Sequence, residues 1–267
     1  MITASALNKP NHSGGFAILA EAGDWIVVNK FAGLLSHPTK PHGPYTLWHG
    51  LQQLLAFEII NGGKVALINR LDRETSGIVL VAKTSLAATD LAEAMANGKI
   101  HKEYLAIVTG WPAADEFEAA LPILRLGEVA TSAVWLKRAI HPSGRPAKTL
   151  FRVEKRLTHP LAGKISLVRA IPLTGRTHQI RVHLSHLGYP LIGDKLYGVS
   201  EQCYLKFIAE GWSSVLQSLL RMERHALHST RMQIDVLSLQ PGSQDFSAAW
   251  ECGMPSDMRK FLEESKF

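Results

Sequence analysis

The sequence predicts an α+β fold, in which a mixed and largely antiparallel sheet is flanked by helices. Short runs of branched apolar residues alternate irregularly with segments whose apolar residues recur at helical spacing. This order lacks the regular strand–helix alternation of a parallel doubly wound sheet. Because 46% of the 267 residues are hydrophobic, we expect one domain with a sizeable core over residues 16–267. Residues 1–15 contain Pro, Asn and Gly without periodicity, which predicts a flexible tail.

The first half of the chain predicts four strands and two helices. One helix begins at Leu47, since Thr46 is placed to cap it and Asn61-Gly62-Gly63 to end it. A second helix is capped by Thr84 or Ser85. The predicted strands of this half are 16–20, 25–29, 65–68 and 77–82, and the second helix covers 86–96.

The second half predicts three strands and one helix. The strands are 104–109, 149–153 and 164–171, and the helix is 177–187. On that helix Ile180, Leu184 and Leu187 share one face, and Arg181 lies off this buried stripe. Gly188 ends the helix.

Composition narrows the class of protein. Lys and Arg outnumber Asp and Glu by 29 to 23 and the sequence pI is about 9.3, which suits a polyanionic partner but is common to many proteins. Two cysteines are too few for a disulfide scaffold or a sulfur-rich zinc site, so we expect a reducing compartment, the cytoplasm. No leader pattern occurs and no apolar stretch approaches the ~20 residues of a membrane span, which predicts neither export nor membrane insertion.

A charged segment lies between two apolar predicted strands and contains Asp72. An aspartate at such a connection often only caps a turn. Here, however, Arg70 and Arg73 lie on either side of the carboxylate, and Thr75-Ser76-Gly77 forms a tight polar turn into the next strand. These neighbours favour a rigidly held, chemically used carboxylate.

Two further stretches place ionisable groups where strand or helix ends can converge. Tyr104 follows Lys102-Glu103 at the start of a strand, where it either packs in the core with a wet hydroxyl or projects into a cleft. His178 and Arg181 are three residues apart at the start of the last predicted helix, which puts them on neighbouring helical positions. An arginine and a helix N-terminus together attract anions.

These stretches, in this order, resemble the RluA-type family of RNA pseudouridine synthases, over roughly residues 16–236. The matching motifs are Arg70-Leu71-Asp72-Arg73-Glu74-Thr75-Ser76-Gly77, Lys102-Glu103-Tyr104, Gly175-Arg176-Thr177-His178-Gln179-Ile180-Arg181-Val182-His183, His186-Leu187-Gly188-Tyr189-Pro190-Leu191-Ile192-Gly193-Asp194, and an opening from Asp24 to Pro38. Two positions depart from the family, which usually has His at Asn69 and Pro at Phe31. Neither departure removes a catalytic group; Asn69 puts loop geometry or substrate preference in question.

The resemblance implies the chemistry and its residues. The family detaches uracil from ribose, rotates it and rejoins it through carbon 5, in a specific uridine of structured ribosomal or transfer RNA. No metal or cofactor is needed. Asp72 is implied as the essential carboxylate, acting either as a nucleophile or as a base, in a central RNA-binding cleft. Arg181 is implied to pair with Asp72, and Tyr104 to lie against the base and take its carbon 5 proton.

A uridine in stacked RNA must be extruded before it reacts. Arg70 stands two residues before Asp72, and we hypothesise that its guanidinium fills the gap left by the flipped base. His178 is a further expected RNA-binding residue. Arg73, Arg176 and Lys195 are either backbone contacts or solvated surface charges.

Other interpretations make different predictions. A metal site at His178, His183 and His186 is disfavoured, because they do not form a helical pair four residues apart with an accompanying carboxylate. A catalytically inactive RNA-binding protein that keeps the fold is a second interpretation, and a hydrolase that uses Asp72 is a third. We expect a monomer and no RNA-binding module ahead of Phe16.

The target RNA is then chosen by the catalytic domain or its loops. The variable segment 110–148 is one candidate for this selection. Its Trp111, Trp135 and Arg138 are either packing residues or RNA contacts.

Overall fold

A computed structural model describes residues 14–237 and 246–266 and confirms the α+β class. The strands are β1 (Phe16–Glu21), β2 (Trp25–Lys30), β3 (Ala66–Leu67), β4 (Ser76–Ala82), β5 (Ile100–Thr109), β6 (Glu116–Ala120), β7 (Ile123–Arg125), β8 (Arg138–Ile140), β9 (Lys148–His159), β10 (Gly163–Pro172), β11 (Leu227–Leu237) and β12 (Phe246–Glu251). The helices are α1 (Leu47–Leu54), α2 (Ala56–Ile60), α3 (Ser85–Ala96), α4 (Gln179–His186), α5 (Gln202–Glu210), α6 (Ser214–Leu220) and α7 (Ser256–Glu263). The predicted tail, 1–15, lies outside the described residues up to position 13.

The chain forms two compact units. The first contains residues up to 102 together with 229–253, and the second contains residues 103–228 and those from 254 onward. The expectation of a single domain over residues 16–267 stays a prediction. Among the helices of the described residues, none has both the length and the apolar character of a membrane span.

The first unit is an antiparallel sheet with a helix packed against it. Strand β2 lies between β1 and β4, pairing antiparallel with both, and β12 pairs antiparallel with β11. All seven residues of β4 are buried, and the branched apolar residues 78–81 form the centre of this strand. Helix α3 packs on the sheet through Ala87 and Leu91, and the Thr84 hydroxyl caps it by accepting from the Ala87 amide at 3.2 Å.

The second unit is a sheet in the order β5-β10-β9-β6, with a separate β7–β8 hairpin. Strands β5 and β10 pair antiparallel, with Tyr104 opposite Ala170. One apolar cluster of this unit includes Ile107, Ile165 and Met258, the last contributed by helix α7. A second cluster joins the hairpin to α4.

Element positions agree with prediction more closely than element lengths. Helix α1 carries the expected Thr46 cap, and α3 covers 85–96. Strands β5 and β9 are longer than predicted, and β3 is reduced to two residues. Helix α4 begins two residues late, because His178 has a left-handed backbone (φ 59°) and stands outside it.

Candidate active site

The loop that carries Asp72 is fastened at the residue before the carboxylate. We call residues 69–76, which join β3 to β4, the carboxylate loop. The Ser36 hydroxyl donates to the Leu71 carbonyl at 2.7 Å and accepts from the Leu71 amide at 3.1 Å. Both Ser36 and Leu71 are buried, so these bonds are shielded from water. The Ser36 side chain therefore makes the two hydrogen bonds that a neighbouring strand would otherwise make with the Leu71 backbone.

The residue after the carboxylate is fastened as well. The Arg73 carbonyl accepts from the Gly33 amide at 2.8 Å and from the Lys30 ammonium at 3.2 Å, and Arg73 Nε donates to the Gly33 carbonyl at 3.0 Å. Lys30 is fully buried and also donates to the Leu34 carbonyl at 2.8 Å. The Thr75 amide closes the turn by donating to the Asp72 carbonyl at 3.1 Å. Asp72, half-buried, is thus held on both sides by the segment 30–36.

Asn69 is a structural anchor of the carboxylate loop. Its amide group donates to the Ile78 carbonyl at 3.1 Å, and its oxygen accepts from the Leu80 amide at 2.8 Å. An asparagine side chain supplies a donor and an acceptor side by side, as a peptide group does. The departure from the family histidine therefore extends the pairing of β3 with β4 and holds the loop where it begins.

The position directly after the carboxylate loop strongly favours glycine. Gly77 has φ of 114°, a conformation that side-chain-bearing residues rarely adopt. A Cβ atom there would lie 2.2 Å from the Ser229 carbonyl oxygen. The glycine in the motif is therefore explained by close backbone packing of β4 against β11.

In the second unit, Arg181 is buried in an ion pair with Asp194. Arg181 Nε donates to Asp194 Oδ2 at 2.7 Å and Nη2 donates to Oδ1 at 2.9 Å, with Arg181 7% exposed and Asp194 0% exposed. The amides of Leu196 and Tyr197 donate to Asp194 Oδ1 at 2.9 and 3.0 Å. The sequence placed Arg181 off the buried apolar stripe of its helix. In the structure Arg181 is nevertheless buried, because its guanidinium pairs with the buried Asp194 carboxylate. The predicted pairing of Arg181 with Asp72 stays a prediction.

The electrostatics of this pair favour the charged forms. Burial alone raises the pKa of Asp194, but the Arg181 guanidinium and its hydrogen bonds outweigh burial and hold that pKa well below its ordinary value. The guanidinium also lies 5.0 Å from the Tyr197 ring centroid. Arg181 is therefore a permanent cation with a fixed plane.

Tyr197 joins this ion pair to the start of α4. Its hydroxyl is 2.7 Å from His178 Nδ1 and accepts from the Arg138 amide at 2.9 Å. The spacing predicted that His178 and Arg181 occupy neighbouring positions on one helix, and this prediction was wrong. His178 precedes α4, which begins at Gln179. The Gln179 side chain closes the turn that precedes α4 by accepting from the Arg176 amide at 3.0 Å.

His183, one of the three histidines considered for a metal, has both ring nitrogens engaged. Nε2 donates to the Leu121 carbonyl at 3.0 Å, and Nδ1 accepts from the Thr149 hydroxyl at 2.9 Å. Burial lowers the pKa of His183, which favours this neutral tautomer. It is a packing residue that holds α4 on β9.

The other predicted contacts differ in accessibility. Arg70 and Arg73 are exposed, Arg176 is half-buried and donates from Nε to the Pro146 carbonyl at 3.0 Å, and Tyr104 is 7% exposed. The expectation that Lys195 contacts an RNA backbone or is a solvated surface charge was wrong. Lys195 is 3% exposed, donates to the Glu223 carbonyl, and lies 4.6 Å from the Phe207 ring centroid.

Four positioning residues were missed by sequence reasoning. Ser36 and Lys30 fasten the carboxylate loop, and Asp194 and Tyr197 hold Arg181. Three of them lie inside stretches already matched to the family, but no periodicity or spacing connects them to their partners. A charged residue at the end of an apolar strand, such as Lys30, is a signal that could have identified one of them.

Comparison with known proteins agrees with these motifs. A family model described as RNA pseudouridylate synthase matches residues 24–186. The ribosomal large subunit pseudouridine synthase D of Yersinia pestis is 33% identical over 93% of this chain and 70% of its own length. The protein of the same name from Nitrosomonas europaea is 33% identical over 92% of this chain and 64% of its length. The dual-specificity RNA pseudouridine synthase RluA of Vibrio vulnificus is 32% identical over 67% of this chain and 68% of its length.

Solved structures share the fold at lower identity. Human RNA pseudouridylate synthase domain containing 4 aligns with a TM-score of 0.66 at 20% identity, covering 94% of both chains. Human RNA pseudouridylate synthase domain containing 1 aligns with a TM-score of 0.63 at 22% identity, covering 96% of both. The sequence matches and the motifs around Asp72 agree, and the chain belongs to the RluA-type family of RNA pseudouridine synthases.

Proposed function

We propose that this enzyme isomerises a specific uridine to pseudouridine in ribosomal RNA, with Asp72 as its catalytic carboxylate. The observation that carries the assignment is the double fastening of the carboxylate loop. Leu71 is tied to Ser36, and Arg73 is tied to Gly33 and Lys30. A catalytic carboxylate must be held close to one geometry, and this arrangement restricts the backbone on both sides of it.

Each step of the isomerisation then has a candidate residue. Asp72 acts at the ribose, either as the nucleophile or as the base that removes the 2′ hydrogen. The bond between uracil N1 and ribose carbon 1′ breaks, the uracil rotates, and carbon 5 forms the new bond to carbon 1′, with a proton gained at N1 balancing the one lost from carbon 5. Tyr104 lies against the base and takes the carbon 5 proton, and the Arg181 cation keeps Asp72 ionised. No cofactor enters this scheme.

Residues from both compact units are needed, so we propose that 16–267 act as one catalytic domain. Asp72 belongs to the first unit, and Tyr104 and Arg181 belong to the second. The family match over 24–186 includes parts of both. Ribosomal RNA is favoured by the names of the relatives, and with only two buried cysteines in the chain we place the reaction in the cytoplasm.

The test compares wild type, Asp72→Asn and the control Asp115→Asn on unmodified ribosomal and transfer RNA, without metal or nucleotide. Asp115 carries an exposed carboxylate, 78% accessible, in the second unit. Pseudouridine mapped by chemical labelling should form with wild type and Asp115→Asn and be lost with Asp72→Asn. Signal in transfer RNA alone would correct the substrate. Release of free uracil would indicate a hydrolase, and RNA binding without product would indicate an inactive binding protein.

Base extrusion is assigned to Arg70, with Arg73, Arg176 and His178 as further RNA contacts. Arg70→Ala should reduce turnover on folded RNA more than on a short unstructured strand. Only in folded RNA does extrusion of the uridine leave a gap in the base stack for the guanidinium to fill. Arg259→Ala, which removes an exposed arginine of α7, is the matched control. Equal losses on both RNAs would refute the role of Arg70.

A further inference from the structure

The segment 123–148, which contains the β7–β8 hairpin, concentrates the positive charge of the chain. It contains five lysines and arginines and one glutamate, a net charge of +4, whereas the whole chain carries +6. Lys137 and Lys148 have acidic partners outside the segment, at 2.7 and 2.8 Å. The excess charge therefore comes from three arginines: Arg125, Arg138 and Arg145.

Two of these arginines directly face each other. Arg125 and Arg138 are a cross-strand pair in the β7–β8 hairpin, where like charges are destabilising. Glu128 lies 3.5 Å from Arg125 Nε, which offsets only part of the repulsion. Arg176, just before α4, donates to the Pro146 carbonyl and so adds a fourth guanidinium beside the segment. Such an arrangement is suited to a polyanionic ligand.

Trp135 stands out among the tryptophans. All six lie within the described residues, and Trp135 is the most exposed, at 74%. The Arg125 guanidinium carbon lies 3.6 Å from the centroid of the indole. Trp111 differs: it is 39% exposed and its indole N–H donates to the Leu157 carbonyl at 3.0 Å. Trp111 is therefore bound to the backbone through its indole N–H and about half as exposed as Trp135.

The exposed indole is carried by an anchored turn. The preceding residue, Val134, is 3% exposed and belongs to an apolar cluster with Val182 and Leu196. On the other side, Lys137 pairs with Glu201 at 2.7 Å, and the Lys137 amide donates to the Val134 carbonyl at 3.0 Å. A rigid aromatic side chain loses little conformational entropy when a ligand stacks on it.

We propose that Trp135 and Arg125 form a stacking site for an unpaired base of the RNA, with Arg138, Arg145 and Arg176 contacting neighbouring phosphates. An exposed indole with a stacked guanidinium is suited to the face of a base, and the base must be unpaired because paired bases present only their edges. The proposal rests on the proposed function only in taking RNA as the ligand. In this arrangement the β7–β8 hairpin selects single-stranded RNA next to the target uridine.

The test measures binding without turnover, so that it stands apart from catalysis. In the Asp72→Asn background, we would measure by fluorescence anisotropy the affinity for a single-stranded 12-nucleotide RNA and for a duplex of equal length. Trp135→Ala should weaken single-strand binding about tenfold and leave duplex binding unchanged, since base stacking on an aromatic is worth on the order of a tenfold loss or more. Trp135→Phe should keep most of the affinity, and Trp111→Phe should bind as well as the parent.

The outcomes separate this proposal from the proposed function. Unchanged single-strand affinity in Trp135→Ala, or an equal loss on duplex, would overturn the stacking site even if the wild-type enzyme forms pseudouridine. A selective tenfold loss would support it even if no pseudouridine is found. Because Trp135 is exposed, its truncation should leave the midpoint of urea unfolding within the error of the parent.

Discussion

Replacement of Asp194 by Asn should destabilise the protein strongly. The carboxylate is fully buried and accepts four hydrogen bonds, two from Arg181 and two from the amides of Leu196 and Tyr197. Asparagine keeps one oxygen for the amides but turns an NH₂ group toward the guanidinium, so donors face donors. The Arg181 charge would remain buried without compensation from Asp194.

The size of the loss follows from the burial of the pair. Breaking a buried ion pair by removing one partner costs about 3–5 kcal/mol, and the retained amide bonds place Asp194→Asn near the lower value. Urea unfolding at pH 7, followed by circular dichroism, measures the change in the free energy of unfolding. Glu210→Gln is the matched control: Lys206–Glu210 has the same 2.7 Å separation but is largely exposed, and its loss should stay below about 0.5 kcal/mol.

The same variant predicts a change in acid stability. Because the pKa of Asp194 is held below its usual value in the folded protein, its stabilising contribution is complete above the unfolded-state pKa of about 3.9. That contribution falls as the pH drops below this value toward the folded-state pKa. Wild-type stability should therefore decline more steeply below about pH 4 than that of Asp194→Asn. A loss under about 1 kcal/mol at pH 7, or identical acid profiles, would refute the reasoning.

Three further predictions concern the first unit. Gly77→Ala should cost at least about 2 kcal/mol, because its φ is positive and the added Cβ meets a backbone carbonyl; Gly23→Ala, with open space around it, should change the unfolding free energy by less than about 0.5 kcal/mol. Ser36→Ala should lower the free energy of unfolding by about 1–3 kcal/mol, because the backbone before Asp72 loses both hydrogen bonds. It should also lower kcat for pseudouridine formation by a larger factor than it changes KM. Burial raises the pKa of Cys252 to about 11, so iodoacetamide at pH 8 should label this thiol about 100-fold more slowly in the folded protein than in urea.

The elements that could be predicted from sequence are those whose determinants are local. Strand β4 is an uninterrupted apolar run, and α3 has its cap at Thr84, so both were found within a residue or so. Strand β9 was predicted too short, because residues such as Glu154 look unsuited to a buried strand. In the structure Glu154 accepts from Arg169 on β10 at 2.6 Å, and Arg169 also pairs with Glu103 on β5. Cross-strand pairing of charges cannot be read from one strand alone.

The candidate site divides in the same way. The motif residues Asp72, Tyr104 and Arg181 were proposed from the sequence because their neighbours there are distinctive. Their supports were not, since Ser36 lies 35 residues from Leu71 in the chain and is brought to it only by folding. The apolar stripe of α4 placed Arg181 off the buried face, whereas a buried carboxylate from outside the helix overrides that pattern.

The buried pair of Arg181 and Asp194 is better explained by positioning than by stability. Well-packed apolar residues commonly stabilise a protein as much as a buried ion pair does, because the pair must first lose its hydration. An apolar replacement, however, would leave no cation. By binding Nε and Nη2, Asp194 fixes the plane of the Arg181 guanidinium, so the cation is oriented by its own unit of the chain. A cation oriented before the RNA arrives needs no reorganisation during the reaction, which is the condition under which a fixed charge contributes most to catalysis.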